Sequence, residues 1–448
     1  MRRREVRKNA FIAIAALIAV AAWSTACCAE TMWDLQEVNE IGYGIHPKVW
    51  ADETDPDNRV AVEGVALAGF NEILNPNMQY TVFLQDDQSD RGGMQAWTGK
   101  FFYGDEMWAL LRTTDYIDYQ AGDRLRITGF IADMGRGKVV INNRGHSGSP
   151  LLVWHVEILE HVGLPDPELV PSISHCNYFD QTRAGGGERY QTRYIMLHGV
   201  QITSGQWGNN KLNTISDDTG SVGMLLSAMG DFNSNPQPSG KLNVVGIMDQ
   251  EDDQVAPYTD GYRVWVKRTP DIALALDACR QAGSSSDGER VALVNKVVSR
   301  GFGGYFYVQD PDRSGGVRVN SSRILEPGDV VCVQGLVGQG AIAANYLTVT
   351  GSAEAPSPLC VTSPVLWGER GLGVEGLLVR VFGVVGDYIG DGIYNFTDDS
   401  GRTIHVQTEG FSLPAQGTKV ILDAVATIEG GVPMLLLAAE QDVRTVTQ

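Results

Sequence analysis

"YFYVQDPDRSGGVRV" (305–319) sets two Asp, two Arg, a Pro and a Gly pair between two runs of alternating β-branched and aromatic residues. The period-two alternation predicts two strands. Asp and Gly suit a tight hairpin between them, because the Asp side chain caps the turn and Gly accepts positive φ. A charged active-site loop is the competing reading. Repetition decides: "YTVFLQDDQSDRGGMQAW" from Tyr80, "KLNTISDDTGSVGMLL" from Lys211 and "GIYNFTDDSGRTIHV" from Gly392 keep the same order of strand, acids, Gly turn and strand. A phrase repeated this way serves the fold, and its acid pair reads as turn chemistry.

Two further landmarks accompany each hairpin. Upstream lies a long strand with a small residue inside it ("RVAVEGVALAGF", "RYIMLHGVQITSG", "RVALVNKVVSRGF", "LLVRVFGVVGDY"). Downstream lies a Gly turn and a strand closing on a small residue ("AGDRLRITGF", "SGKLNVVGIM", "PGDVVCVQGL", "QGTKVILDAV"). Turn Gly and closing residue are seven apart in modules one, three and four and six apart in module two. A unit of roughly 70 to 110 residues with a bent first strand, a hairpin, a variable connection and a closing pair predicts a five-stranded Greek-key barrel, the OB-fold.

"FYVQDPDRSGGVRV" and "PGDVVCVQG" of module three carry a resemblance to secreted bacterial tandem OB-fold proteins of largely unassigned function. More distantly, they resemble the OB modules that accompany extracellular nucleases. The resemblance implies a fold and little about activity.

The expected fold class is all-β, with four OB modules joined by Gly/Pro/Ser-rich linkers. The segments are 1–29 (leader), 30–58 (extended N-terminal segment), 59–165, 193–272, 289–352 and 376–448 (modules one to four), and 166–192, 273–288 and 353–375 (linkers). A length of 448 residues already exceeds what one core usually serves.

The first 29 residues read as a secretory signal peptide: basic "MRRREVRKNA", apolar "FIAIAALIAVAAW" and a small-residue zone "STACCAE" with cleavage after Ala29. Lipidation at Cys27 is the second reading, because the preceding positions lack the expected Leu, and a retained membrane anchor is the third. The leader holds five basic residues and one acid, so its removal takes the net charge from −19 to −23. Such a field repels phosphate backbones and argues against nucleic acid as a partner.

Four cysteines remain beyond Cys27 and Cys28. None sits in a CxxC pair or at zinc-ligand spacing, and export makes disulfides the default. The most local connectivity pairs Cys176 with Cys279 and Cys332 with Cys360.

Module one departs from the plan. Between Asp86 and Gly122 lie 35 residues, against 17 between Asp310 and Gly328 in module three. This insertion is dense in aromatics and partly helical in pattern, with Asp105 as cap and Met107, Leu110 and Leu111 on one face. A barrel plug that includes Trp108 is the plain reading. Trp97, Phe101, Phe102 and Tyr103 as an exposed stacking surface is the functional one.

Catalysis finds no constellation. The seven His occupy no nucleophile, metal or phosphate motif, and His155 and His161 fall on one strand face as solvent-facing residues. "DETDPDN" and "DQEDDQ" lack EF-hand spacing and read as solvated turns. No cofactor is expected. The sequence thus points to an exported, non-catalytic binding or scaffold protein with a glycan or protein partner. A nucleic-acid accessory protein is the alternative, and an enzyme with an unrecognised site comes after it.

Overall fold

A computed structural model describes residues 30–52, 55–77, 79–86, 92–99, 118–142, 154–253, 255–369 and 373–446. The expected leader, with Cys27, and the insertion residues Phe101, Phe102, Tyr103 and Trp108 lie outside the described residues.

Four barrels follow one another. Barrel one is built from strands Val60–Ala66, Gln79–Gln85, Gly93–Gly99, Asp123–Asp133 and Val139–Asn142. Barrel two uses Tyr194–Gly205, Leu212–Asp217, Gly220–Leu226, Leu242–Gln250 and Tyr262–Val266. Barrel three uses Arg290–Phe302, Tyr305–Gln309, Gly316–Asn320, Asp329–Gly338 and Ala341–Ser352. Barrel four uses Leu378–Gly390, Ile393–Asp398, Thr403–Thr408, Lys419–Glu429 and Val432–Leu437. In each, spatial order is first, second, third, fifth, fourth, and the ring closes on the first strand. The third and fifth strands run parallel, with Ala96 opposite Ile141, Gly223 opposite Arg263, Val319 opposite Ile342 and His405 opposite Met434. This is the OB ring, which leaves no open sheet edge.

The first strand of barrel three breaks register between Leu293 and Lys296 and again between Val298 and Arg300, the bulges that let a long strand turn the barrel corner. Its core is made by the alternating inward residues Val291, Phe306, Val308, Val319, Val331 and Ile342. Barrel one adds a stacked pair inside, Tyr80 on Trp154 with centroids 4.8 Å apart.

The hairpin acids do more than shape a turn. In barrel three, Asp310 is 3 % exposed and accepts the Cys279 amide at 3.0 Å, the first N–H of helix Cys279–Ser284. Its other oxygen pairs with Lys296 Nζ at 2.6 Å. In barrel four, Asp398 accepts the Ser363 amide at 2.5 Å, the first of helix Ser363–Leu366. In barrel two, Asp217 accepts the Ile173 amide at 2.8 Å, the first of the 3₁₀ turn Ile173–His175. Each hairpin therefore caps a short helix that precedes its own barrel, satisfying an amide the helix cannot. The segments that read as linkers carry these helices. Burial pushes the Asp398 and Asp217 carboxyls up, but the hydrogen bonds they accept outweigh it and hold both below the usual carboxylate range.

The expected disulfides are absent: Cys176, Cys279, Cys332 and Cys360 are all free thiols. Cys279 opens the capped helix Cys279–Ser284, Cys176 is the C-cap of the turn Ile173–His175, and Cys332 is buried on the face of strand Asp329–Gly338 opposite to that of its core neighbours Val331 and Val333. Cys360 is exposed beside the first strand of barrel four, opposite Arg380. The three buried sulfurs pack as small apolar groups, Cys279 within the core of barrel three.

By contacts the chain divides into two compact units. Barrel one and most of barrel two make the first; barrels three and four fall in the second.

Candidate functional site

Barrels one and two join as barrels three and four do, residue for residue. The second strand of an isolated barrel should alternate in burial, and Leu212–Asp217 of barrel two and Ile393–Asp398 of barrel four do show exposed or half-buried positions. Gln79–Gln85 and Tyr305–Gln309 instead are buried on both faces after their first residue. The next barrel covers the outer face. Gln85 accepts the Tyr194 amide at 2.7 Å, and Gln309 accepts the Leu378 amide at 3.3 Å. Gly93 and Gly316 face the same neighbour: a Cβ on Gly93 would lie 2.0 Å from the Thr192 carbonyl oxygen, and one on Gly316 would lie 2.2 Å from that of Gly376. Thr192 and Gly376 both take positive φ, and their amides bond the carbonyls of Met248 and Ala426, each at 2.7 Å.

Strand registers extend the match. Asp249 and Thr427 follow Met248 and Ala426; Arg263 and Met434 lie opposite them, and Trp265 and Leu436 lie two residues further on. Phe83 and Tyr307 occupy the same outward place on the second strand.

The first pair fills this junction. Trp265 meets Phe83 with centroids 6.3 Å apart and donates its indole N–H to Asp249 at 2.9 Å. Asp249 is 1 % exposed and pairs with Lys138 at 2.7 Å and Arg263 at 2.8 Å. Glu251 extends the cluster to Arg136 and to Lys138. Burial disfavours the Asp249 anion, but Lys138 and Arg263 overcome it and hold the carboxyl far below its usual range. The run "DQEDDQ" is thus no solvated turn at Asp249; a buried ion cluster holds it.

The second pair leaves the junction open. Leu436 stands for Trp265, Thr427 for Asp249 and Met434 for Arg263, and Gln339 occupies the turn that bears Lys138 in barrel one. Smaller, uncharged side chains leave a cleft of about 890 Å³. Its barrel-three wall carries Arg280 and Arg318; its barrel-four wall carries Glu375 and Glu429. Tyr307 and Leu436 lie at its base within an apolar cluster that includes Leu378, Val425 and Met434.

Tyr305 lines the cleft with both ring faces taken. Phe302 stacks on it at 4.8 Å and 10°, and the Arg318 guanidinium carbon sits 3.7 Å from the ring centroid. The two cannot share a face at those distances. Burial pushes the Tyr305 hydroxyl up to about 12. Arg318, which lines the cleft, donates its Nε–H to Asn320 at 2.9 Å, a bond that fixes the plane of the guanidinium and does not use its terminal nitrogens. Among the described residues, neither Glu375 nor Glu429 has an ion-pair partner.

Of the residues read as a stacking surface, Trp97 is half-buried on strand Gly93–Gly99 and donates its indole N–H to Gln79 at 3.0 Å. His155 and His161 do share an exposed strand, where His161 bonds Asp123 at 2.7 Å. Among the described residues no three His, Cys, Asp or Glu gather as a metal site, and no helix is long and apolar enough to cross a membrane.

No protein family and no curated protein matches this chain. The structural neighbours are OB-fold HIN domains and a multidomain OB protein, at slight overlap. The tetrameric p202 HIN2 structure is 14% identical over 36% of this chain and 98% of its own, with a TM-score of 0.22. A murine DNA-binding protein bound to double-stranded DNA is 10% identical over 56% of this chain and 97% of its own, at 0.15. A Streptococcus pneumoniae multidomain protein with nucleic-acid-binding domains is 11% identical over 56% of this chain and 73% of its own, at 0.12. Overlaps of this size transfer no function.

Proposed function

We propose that the protein is an exported, non-catalytic binding protein that uses its barrels in pairs, with the first pair as a closed strut and the ligand site in the open junction of barrels three and four. One observation carries this reading: an identical junction is packed shut by Trp265 and an ion cluster in one pair and left as a cleft of about 890 Å³ in the other. Packing at native density leaves few such spaces unless they are used, and pockets of this size are the usual scale of ligand sites. Loop and junction surfaces on rigid barrels are where OB proteins vary.

A thermal-shift panel of oligosaccharides, short peptides and a duplex DNA oligomer tests it, run on the full chain and on Leu436→Trp, which rebuilds the filled junction. Stabilisation of the wild type that disappears in the variant supports the reading. Duplex DNA, named for several of the structures above, is the alternative ligand in the same panel. A chain with a net charge of −19 and two unpaired Glu at its cleft works against it. Turnover of any panel member would overturn the non-catalytic part.

A further inference from the structure

We infer that the cleft between barrels three and four takes a short peptide with both ends charged, its carboxylate held by Arg318 and its ammonium by Glu375 and Glu429. This inference rests on the proposal that the cleft is the ligand site, and it adds the chemistry of the ligand.

The walls differ in sign. Arg280 and Arg318 lie on the barrel-three side, and Glu375 and Glu429 lie on the barrel-four side. A ligand lying across such a gap is held best when it carries opposite charges at its two ends. Arg280 already donates to the Gly373 carbonyl at 3.3 Å and is exposed, which makes it a rim residue. Arg318 is better prepared. Its plane is set by Tyr305 below and by the Nε bond to Asn320, so the two terminal nitrogens form a fixed fork, the geometry that receives a carboxylate through two parallel bonds.

Neutral sugars fit less well. Sugar sites offer a free aromatic face, and here Tyr305 is covered by Phe302 on one side and Arg318 on the other, while Tyr307 is 4 % exposed. Phosphate backbones meet the two Glu. Gln407 and Thr427, also on the barrel-four wall, can bond the peptide groups between the charged ends. The first pair shows the opposite arrangement: its junction charges neutralise one another inside the protein, with Lys138 and Arg263 on Asp249.

Calorimetry on the full chain with tri-, tetra- and penta-alanine, each with free ends and each acetylated and amidated, tests the assignment; chitotetraose and a duplex DNA oligomer serve as the other classes. One free-ended length is expected to bind, and blocking its ends should weaken it about tenfold or more, as loss of a charge-assisted bidentate contact does. Arg318→Ala should weaken it to a similar extent, Glu429→Gln should weaken it less, and Leu436→Trp should abolish it. Because Leu436→Trp could disturb packing, Arg318→Ala and Glu429→Gln, both at the cleft surface, supply the independent check. Binding that ignores end-blocking and Arg318→Ala, or no binding by any peptide, overturns the ligand class. If chitotetraose or DNA binds instead and Leu436→Trp abolishes it, the class is wrong and the cleft stands. If Leu436→Trp leaves every ligand's binding intact, the cleft itself is wrong.

Discussion

The side-chain oxygen of Gln85 accepts the backbone N–H of Tyr194 at 2.7 Å, so that one barrel closes an amide of the next. Gln309 and Leu378 repeat this between barrels three and four. Replacing either Gln by Ala strands a buried N–H and should cost about 1–3 kcal/mol. Urea unfolding should show this as a lower midpoint. An unchanged midpoint in both variants would mean that the junction bond carries no weight.

Gly316→Ala should act more strongly than Gln309→Ala. Its Cβ would fall 2.2 Å from the Gly376 carbonyl oxygen, a backbone atom that cannot step aside without parting the two barrels. The expected readout is a separate, earlier unfolding transition for part of the chain, seen by calorimetry; a single transition at the wild-type temperature would contradict it.

Asp310 should be among the costliest hairpin acids to lose, because it is buried. Removing it leaves Lys296 buried and unpaired and the Cys279–Ser284 helix without its cap, so Asp310→Ala should cost about 3–5 kcal/mol. Asp312, two residues on and exposed, should lower the unfolding midpoint far less than Asp310 does when changed to Ala. Equal losses for the two would sink the distinction.

These residues show what could be read from the sequence and what could not. The barrels were legible because strand alternation and Asp–Gly hairpins are local signals, repeated in every module. The double duty of Asp310, Asp398 and Asp217 was not, since their amide partners lie 31, 35 and 44 residues upstream in stretches with linker composition. The disulfide reading failed for a related reason: Cys332 lies mid-strand and fully buried between Val331 and Val333, a packed placement that export alone does not override. The pairing of barrels did leave a trace. "FLQDD" and "YVQDP" carry the Gln that bonds the next barrel and are followed by a Gly pair, while "SDDTG" and "TDDSG" lack both. The open cleft becomes visible only once Trp265 and Leu436 are placed in the same register, which requires that pairing first.

Glu188 should make stability depend on pH near neutrality. It is 1 % exposed, and burial pushes its carboxyl up to about 7 from 4.5, against the pull of Arg183 and the Tyr262 hydroxyl. The folded state therefore holds this proton where the unfolded chain has lost it. The contribution is fully present below about 4.5 and is lost as pH rises through about 7. Glu188→Gln should remove that slope and stabilise the protein above pH 7 by about 3 kcal/mol. Parallel stability–pH curves for variant and wild type would refute it.

Thiol titration checks the cysteines. Of the four described ones only Cys360 is exposed, so it should react with a disulfide reagent in the native protein. Burial pushes Cys176 up to about 12 and Cys332 to about 11, and Cys279 higher still, so these three should react only on unfolding. Mass spectrometry showing any of the four joined in a bridge would contradict the free-thiol assignment.

Amide hydrogen exchange on the full chain, with and without the tightest-binding member of the ligand panel, locates the ligand on one barrel pair or the other. Ligand should slow exchange in strands Gly316–Asn320 and Lys419–Glu429 and leave the matching strands Gly93–Gly99 and Leu242–Gln250 unchanged. Protection confined to the first pair, or to the insertion at 100–117, would place the ligand site outside the junction of barrels three and four.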